Sequence, residues 1–231
     1  MEPTLYIVST PIGNIDDITL RALNTLKKVD FIICEEYKMA RRFLSQLNIE
    51  KELHALNEHT EKEYAQELVN LIHSGKSAAL ISDCGTPLFS DPGHLLLDFA
   101  ISYKIKVEII PGVNSIIPAI TGSNFHVEKF YHFGWLSPKK DIRRHELLSL
   151  KRINEVIVLM ETPYRLRKLL GEIVSTFGKL QQIVLAYELT TKREKFYRGT
   201  ASEILNVAEK NQLKGEFVLL VDNRRGNSSR E

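Results

Sequence analysis

Leu5-Tyr-Ile-Val-Ser-Thr-Pro-Ile-Gly-Asn-Ile-Asp-Asp-Ile-Thr19 is an apolar run that stops at Pro11 and Gly13 and passes through two acidic residues into the amphipathic run Leu20 to Val29. A strand that breaks at Pro and Gly and re-forms as an acid-capped helix leaves a ligand-facing loop at its carboxyl end. A second loop of the same kind, Ser82-Asp-Cys-Gly-Thr-Pro-Leu-Phe-Ser-Asp-Pro-Gly93, follows the apolar run Ala78 to Ile81. In open α/β sheets ligands bind outside the carboxyl ends of the strands, so two such loops suggest a cleft. The plainer alternatives are that Asp16 and Asp17 cap the first helix and that Thr86-Pro87 is a turn. A third loop, Ile110-Pro-Gly-Val-Asn-Ser115, opens an apolar helical stretch through Ile120. Gly112 permits close backbone approach there, and Ser115 offers a hydroxyl near a helix start or simply caps it.

Working outward, short apolar runs alternate with helical periodicity. Strands are expected at Leu5–Ser9, Phe31–Cys34, Leu53–Ala55, Ala78–Ile81 and Val107–Ile110, with helices at Leu20–Lys28, Lys38–Leu47, Lys62–Ser74 and His94–Tyr103. This βαβ series predicts a parallel sheet with helices on both faces. Beyond about Ile120 strand-like runs fall at Tyr131–Phe133, Val156–Met160, Ile183–Tyr187, Phe196–Arg198 and Phe217–Asp222. Helical segments near Asp141–Leu150, Tyr164–Phe177 and Ala201–Lys210 separate some of them. Lys195 to Gly199 follows the preceding strand too closely for a helical crossover, which implies an antiparallel pair and a mixed sheet. The expected organisation is an N-terminal α/β domain over 1–117, a C-terminal α/β domain with a mixed sheet over 118–223, and a flexible polar tail over 224–231.

At 231 residues, 43% hydrophobic and 26% charged, the chain has the composition of an ordinary globular protein and is long enough to bury a core. A formal charge of +2 is too small to announce a nucleic-acid binder by itself, so the distribution of charge matters more. Lys139, Lys140, Arg143, Arg144, Lys151 and Arg152 cluster around one connector, diluted by Asp141 and Glu146. Such a cluster reads either as a solvated helix face or, beside Phe133 and Trp135, as a positive groove with stacking surface.

No charged leader and no apolar run of membrane-spanning length is present, so a cytoplasmic location without membrane attachment is expected. Cys34 and Cys84 read as reduced thiols, and the seven histidines lack metal-ligand spacing, so no metal is expected. Gly-x-Gly-x-x-Gly does not occur, and Gly75-Lys-Ser77 lacks the partner glycine of a phosphate loop. A Rossmann dinucleotide enzyme and a P-loop ATPase are both disfavoured.

The order of the motifs resembles one family. Leu5-Tyr-Ile-Val-x-Thr-Pro-Ile-Gly-Asn-Ile-x-Asp-Ile-Thr-x-Arg-Ala-Leu23, Ser82-Asp-x-Gly-Thr-Pro87 and Asp91-Pro-Gly93 are similar to the bacterial 16S ribosomal RNA cytidine 2′-O-methyltransferases of the tetrapyrrole methylase superfamily. Pro111-Gly112, Gly134-x-Leu136, Lys139, Arg143-Arg144, Glu161-Thr162, Arg165-Leu166, Glu188-Leu-Thr190 and Lys214-Gly-Glu216 extend the resemblance, which spans residues 5 to 222. It implies a two-domain fold that traps S-adenosylmethionine between its domains, a homodimer, and 16S rRNA or the 30S subunit as acceptor. It further implies that Thr10, Pro11, Gly13, Ser82, Asp83, Gly85, Thr86, Ser115 and Ala186 bind the cofactor. Departures from the family pattern fall at Glu36, Tyr37, Lys38, Cys84, Val113-Asn114, Tyr164 and Tyr187, and relatives commonly continue past the last strand into a small helical module.

Methyl transfer to a ribose hydroxyl is an in-line displacement helped by a base that removes the hydroxyl proton. Asp83, Glu161 and Glu188 are candidates because each follows or ends an expected strand, and each reads equally as a cap or ion-pair partner. Lys139 is a candidate to stabilise the developing alkoxide or to contact phosphate. Two further readings stay open: a methyltransferase acting on a small molecule such as a tetrapyrrole, and a cofactor-binding module without turnover.

Overall fold

The computed structural model describes residues 2–57, 61–89 and 91–225. The chain divides into two compact units, residues 1–114 and 115–231.

The first unit contains β1 (Thr4–Val8), α1 (Leu20–Lys28), β2 (Phe31–Cys34), α2 (Tyr37–Gln46), β3 (Glu52–Ala55), α3 (Glu61–His73), β4 (Ala78–Ile81), α4 (His94–Ser102) and β5 (Lys106–Ile110). Its five strands are all parallel, in the order β3-β2-β4-β1-β5. Phe31–Cys34 and Ala78–Ile81 are buried at every position, as continuous apolar strands covered on both faces must be. Alternate residues sort between the two faces. Leu5, Ile7, Phe31, Ile33 and Leu80 pack with Leu68 and Ile72 of α3 and Leu96 of α4. Val8, Ile32, Cys34, Ala79 and Ile81 pack with Leu26 of α1 and Leu44 of α2. Each fully buried Leu, Ile or Phe of these layers contributes about 1.5–3 kcal/mol by leaving water.

The helix-start signal resolves differently from the acid cap expected of Asp16 and Asp17. The Asn14 side chain accepts from Asp16 N at 3.1 Å to cap a short 3-10 turn, Ile15–Asp17. The Thr19 hydroxyl then accepts from Ala22 N at 3.1 Å and caps α1. Hydroxyl and amide caps satisfy an orphan N–H as well as a carboxylate does, which leaves the Asp17 side chain available for another task.

The second unit contains α5 (Ile116–Thr121), β6 (Phe130–Trp135), α6 (Lys140–Leu150), β7 (Val156–Met160), α7 (Leu166–Phe177), β8 (Gln182–Tyr187), β9 (Lys195–Thr200), α8 (Ala201–Lys210) and β10 (Phe217–Asp222). The sheet order is β6-β7-β10-β8-β9; only β6–β7 is parallel, so the sheet is mixed. Ile157, Leu159, Leu185, Leu219 and Val221 pack one face against Leu147, Leu169, Leu170 and Ile204 of the helices. The segment expected as one helix from Tyr164 begins instead with a 3-10 turn, Pro163–Arg165, because Pro163 takes the first helical position.

Arg224 and Arg225 are held in place. Arg224 pairs with Asp222 and donates to Phe125 O at 2.7 Å, and Arg225 N donates to Asn154 Oδ1 at 2.6 Å. The rest of the tail, 226–231, lies outside the described residues. Among the described residues no helix is long and apolar enough to cross a membrane.

Candidate functional site

The loops after β4, β1 and β5 leave the same edge of three adjacent parallel strands. Thr10 ties the first two together. Its N–H donates to Gly85 O at 2.8 Å, its hydroxyl donates to Ser82 O at 3.1 Å, and the same hydroxyl accepts from Gly85 N at 3.1 Å. Ser9 N donates to Ile110 O at 3.1 Å and extends the ladder toward the third loop, while Ser9 Oγ meets Thr86 Oγ1 at 3.3 Å. Thr10, Ser82, Gly85 and Thr86 are thus one hydrogen-bonded cluster, with Pro11 beside it half-buried and Gly13 exposed.

Two glycines are required by this arrangement. Gly85 has φ +86°, a conformation L side chains rarely adopt. A Cβ on Gly112 would lie 2.8 Å from Ser9 Cβ, so the first and third loops pack at a distance only glycine allows. Leu88 in the second loop is held at φ +66°. Strained non-glycine residues of this kind concentrate at functional sites.

Asp83 is half-buried, and its Oδ1 is sealed from solvent with no hydrogen-bond partner among the described residues. Burial pushes its carboxyl above the ordinary carboxylate range; the Glu36 and Asp91 charges push the same way, against a backbone hydrogen bond from Glu36. Asp91 is also raised, by burial. Asp17 Oδ2, in the first loop, is the other sealed carboxylate oxygen without a partner among the described residues. Sequence reasoning took Asp17 for a cap and missed it; Thr19, one residue before Leu20, was the available signal that another residue does the capping.

Glu161 and Glu188 have different surroundings. Glu161 is fully buried and engaged at both oxygens: Oε2 accepts from Arg143 Nη1 at 2.5 Å, and Oε1 accepts from Thr162 N at 3.0 Å and faces Arg165 Nη1 at 3.7 Å. Glu188 Oε1 accepts from Glu216 N at 2.9 Å and Oε2 accepts from Arg193 Nη2 at 2.8 Å. Both carboxylates are thus engaged at both oxygens.

Arg143 overturns its expected place in the basic cluster. It is 1% exposed, with Nε on Glu172 at 2.6 Å and Nη1 on Glu161. The sequence held a signal for this: 143, 147 and 150 fall on one helical stripe, and Leu147 and Leu150 are core residues. Phe133 also packs against that core, which removes it from a stacking role. Lys139, Lys140, Arg144 and Arg152 are exposed, and Lys139 stands at the N-cap of α6. Lys151 is tied down, its Nζ donating to Thr176 O at 2.9 Å. Ser115 caps α5 without a side-chain hydrogen bond, and Ala186 is buried in β8. Cys34 and Cys84 are reduced thiols; burial pushes the Cys34 thiol up to about 11.

Residues 4–205 match the family model of tetrapyrrole (corrin/porphyrin) methylases. The chain is 38% identical over 220 residues to the ribosomal RNA small subunit methyltransferase I of Thermotoga maritima, covering 95% of this chain and 98% of that protein. It is 36% identical over 218 residues to the protein of that name from Bacillus subtilis, covering 94% of this chain and 74% of that protein. The chain belongs to the ribosomal RNA small subunit methyltransferase I family of tetrapyrrole methylases. Among solved structures, a cobalt precorrin-4 methyltransferase of cobalamin biosynthesis superposes with TM-score 0.70 at 17% identity, covering 95% of this chain and 94% of that chain. A uroporphyrin-III-C-methyltransferase from Thermus thermophilus superposes with TM-score 0.68, also at 17% identity, over 96% of this chain and 95% of that one. At that identity these two establish the fold. A member of this ribosomal RNA methyltransferase family is a methyltransferase that uses S-adenosylmethionine.

The first unit's loops fit that cofactor on their own chemistry. Its ammonium and ribose hydroxyls donate hydrogen bonds, and Asp17 Oδ2 is an acceptor without a donor among the described residues. The close approach at Gly112 and the open backbone at Gly85 leave no side chain where the loops meet.

Proposed function

We propose that the protein transfers a methyl group from S-adenosylmethionine to the 2′-hydroxyl of a cytidine in 16S ribosomal RNA. The observation that carries this reading is the identity of 36–38% across nearly the whole chain with proteins named ribosomal RNA small subunit methyltransferase I. The bound cofactor supplies a methyl carbon made electrophilic by the attached sulfonium.

Thr10, Ser82, Gly85 and Thr86 hold the cofactor loops in register, and Pro11 and Gly13 shape the turn beside them. Asp83 is the residue we assign as general base. Its raised carboxyl and partnerless Oδ1 suit it to take the proton from the ribose hydroxyl, because a base needs an oxygen that no other group already fills. Glu161 and Glu188 are filled in that way. In this reading Lys139, exposed at the start of α6, contacts RNA phosphate.

Incubating the protein with 30S subunits and methyl-labelled S-adenosylmethionine, followed by nucleoside mass spectrometry, should yield 2′-O-methylcytidine. Label in a base, in another nucleoside, or in no RNA would refute the reading. Asp83→Asn should abolish transfer. In the wild type the acid limb of the rate profile should lie above the ordinary aspartate range; a limb within that range would remove Asp83 from the role. A cytoplasmic homodimer belongs to the same proposal, resting on the motif resemblance, and sedimentation tests the dimer.

A further inference from the structure

In the second sheet one transverse row runs from edge to edge. Trp135 on β6 pairs with Met160, Met160 with Val218, Val218 with Ala186, and Ala186 with Phe196 on β9. Paired residues share a face, and Leu159, Leu185 and Leu219, one position away, point into the helix-covered core. The row therefore lies on the opposite face. At its β9 end it is covered by the turn after α5, where a Cβ on Gly122 would overlap the Phe196 ring. Its β6 end is open: Trp135 is 45% exposed on an edge strand.

β6 and β7 are parallel, so the chain that leaves β7 departs from the same end as Trp135. Four residues beyond Met160 stands Tyr164, 74% exposed, with Arg165 Cζ 5.4 Å from its ring centroid. This short turn is braced from beneath, since Arg143 holds Glu161 and Glu161 faces Arg165. Two exposed aromatic rings and a guanidinium thus share one end of two neighbouring strands. Lys139, Lys140, Arg144 and Lys168 are exposed on the elements that follow them.

We propose that Trp135 and the Tyr164–Arg165 pair form a stacking platform for unpaired nucleotides flanking the methylated one, with the neighbouring lysines and arginine on their phosphates. The inference rests on the reading of ribosomal RNA as acceptor. Unpaired bases are gripped through their π-faces by aromatic and guanidinium planes, and their phosphates by exposed cations. A protein partner is a poorer match, because the cores of protein interfaces are depleted of lysine.

Trp135 is the chain's one tryptophan, so its emission reports on this position alone. Titration with a single-stranded oligoribonucleotide of about ten nucleotides, the span an ordered single-strand site covers, should quench it saturably. Tyr164→Ala should weaken RNA affinity and raise KM for 30S subunits on the order of ten-fold, with kcat and S-adenosylmethionine affinity unchanged. Tyr164→Phe, which keeps the ring, should behave as the wild type. RNA binding measured by filter retention without a change in Trp135 emission would overturn the platform, as would an unchanged KM in Tyr164→Ala. So would a shift from dimer to monomer in Trp135→Ala, which would mark the surface as a contact between copies. Failure of the wild type to methylate 30S subunits sinks the acceptor reading instead, and leaves the quenching result to be judged by itself.

Discussion

Arg143→Met tests the buried charge network directly. Arg143 is 1% exposed and its side chain meets Glu161, whose own side chain is 1% exposed, at 2.5 Å; Glu172, at 2.6 Å, is partly open to water. Removing the guanidinium strands the Glu161 carboxylate in the interior, whereas Glu172 can hydrate. Breaking a buried pair from one side costs about 3–5 kcal/mol, because the surviving charge keeps its desolvation penalty and loses its compensation. For a chain of this size about 2–4 °C per kcal/mol translates this into a fall in Tm of roughly 6–20 °C by differential scanning calorimetry. The double variant Arg143→Met/Glu161→Leu removes both charges and should recover most of that loss, since an apolar pair of similar volume needs no desolvation. Two results would refute the reasoning. One is a loss below about 1 kcal/mol for Arg143→Met, the scale of a hydrated surface pair. The other is a double variant less stable than either single one.

Four further outcomes are expected. Thr10→Val removes the hydroxyl bonded to Ser82 O and Gly85 N while keeping the shape. It should weaken S-adenosylmethionine binding by about 1–3 kcal/mol, or roughly 5- to 150-fold in Kd by calorimetry. Cys34, its thiol pushed from 9.0 to about 11 by burial first and the Asp83 charge second, should resist iodoacetamide at pH 8 while exposed Cys84 is labelled, as read by peptide mass spectrometry. Its contribution to stability is complete below pH 9.0, and denaturant titrations should show it lost as pH rises through about 11, because the unfolded thiol ionises first. Glu188→Gln keeps an acceptor for Glu216 N and should retain most activity, while Glu188→Ala should lower thermal stability; an inactive, stably folded Glu188→Gln would make that carboxylate the base.

Strands with an unbroken run of at least four apolar residues were legible because buried strand positions need no polar side chain. Phe31–Cys34, Ala78–Ile81, Val156–Met160 and Phe217–Asp222 have the expected bounds. The short reach from Tyr187 to Lys195 likewise predicted the antiparallel β8–β9 pair. Sheet order was not legible, since the neighbours of β4 are set by packing between elements distant in sequence. Nor was the bulge between His132 and Gly134, where Phe133 turns into the core and Trp135 is carried to the exposed edge. The three loops and their glycines stood out because Pro and Gly are imposed locally, by turns and close approaches. The sorting of charged residues did not stand out. Whether Arg143 faces solvent or Glu161 depends on a partner 18 positions away.

That sorting narrows the chemistry. A carboxylate can accept a substrate proton only with an oxygen its surroundings have left unfilled and a proton affinity they have not suppressed. Glu161 gives both oxygens to Arg143, Thr162 and Arg165, and Glu188 gives both to Arg193 and the Glu216 backbone, so neither has an oxygen left unfilled. Such groups suit the load they carry: Glu188 sits at φ +52° in a turn that also holds Thr190 at φ +63°, and left-handed backbone of this kind needs fixed partners to persist. Asp83 has the opposite surroundings, with negative neighbours in Glu36 and Asp91, burial, and an oxygen left bare. Neutralising any of those influences should weaken the base without touching the loops that hold the cofactor. Glu36→Gln, at the exposed N-cap of α2, is the gentlest such change: it should move the acid limb of the methylation rate profile to lower pH and leave S-adenosylmethionine affinity as it was.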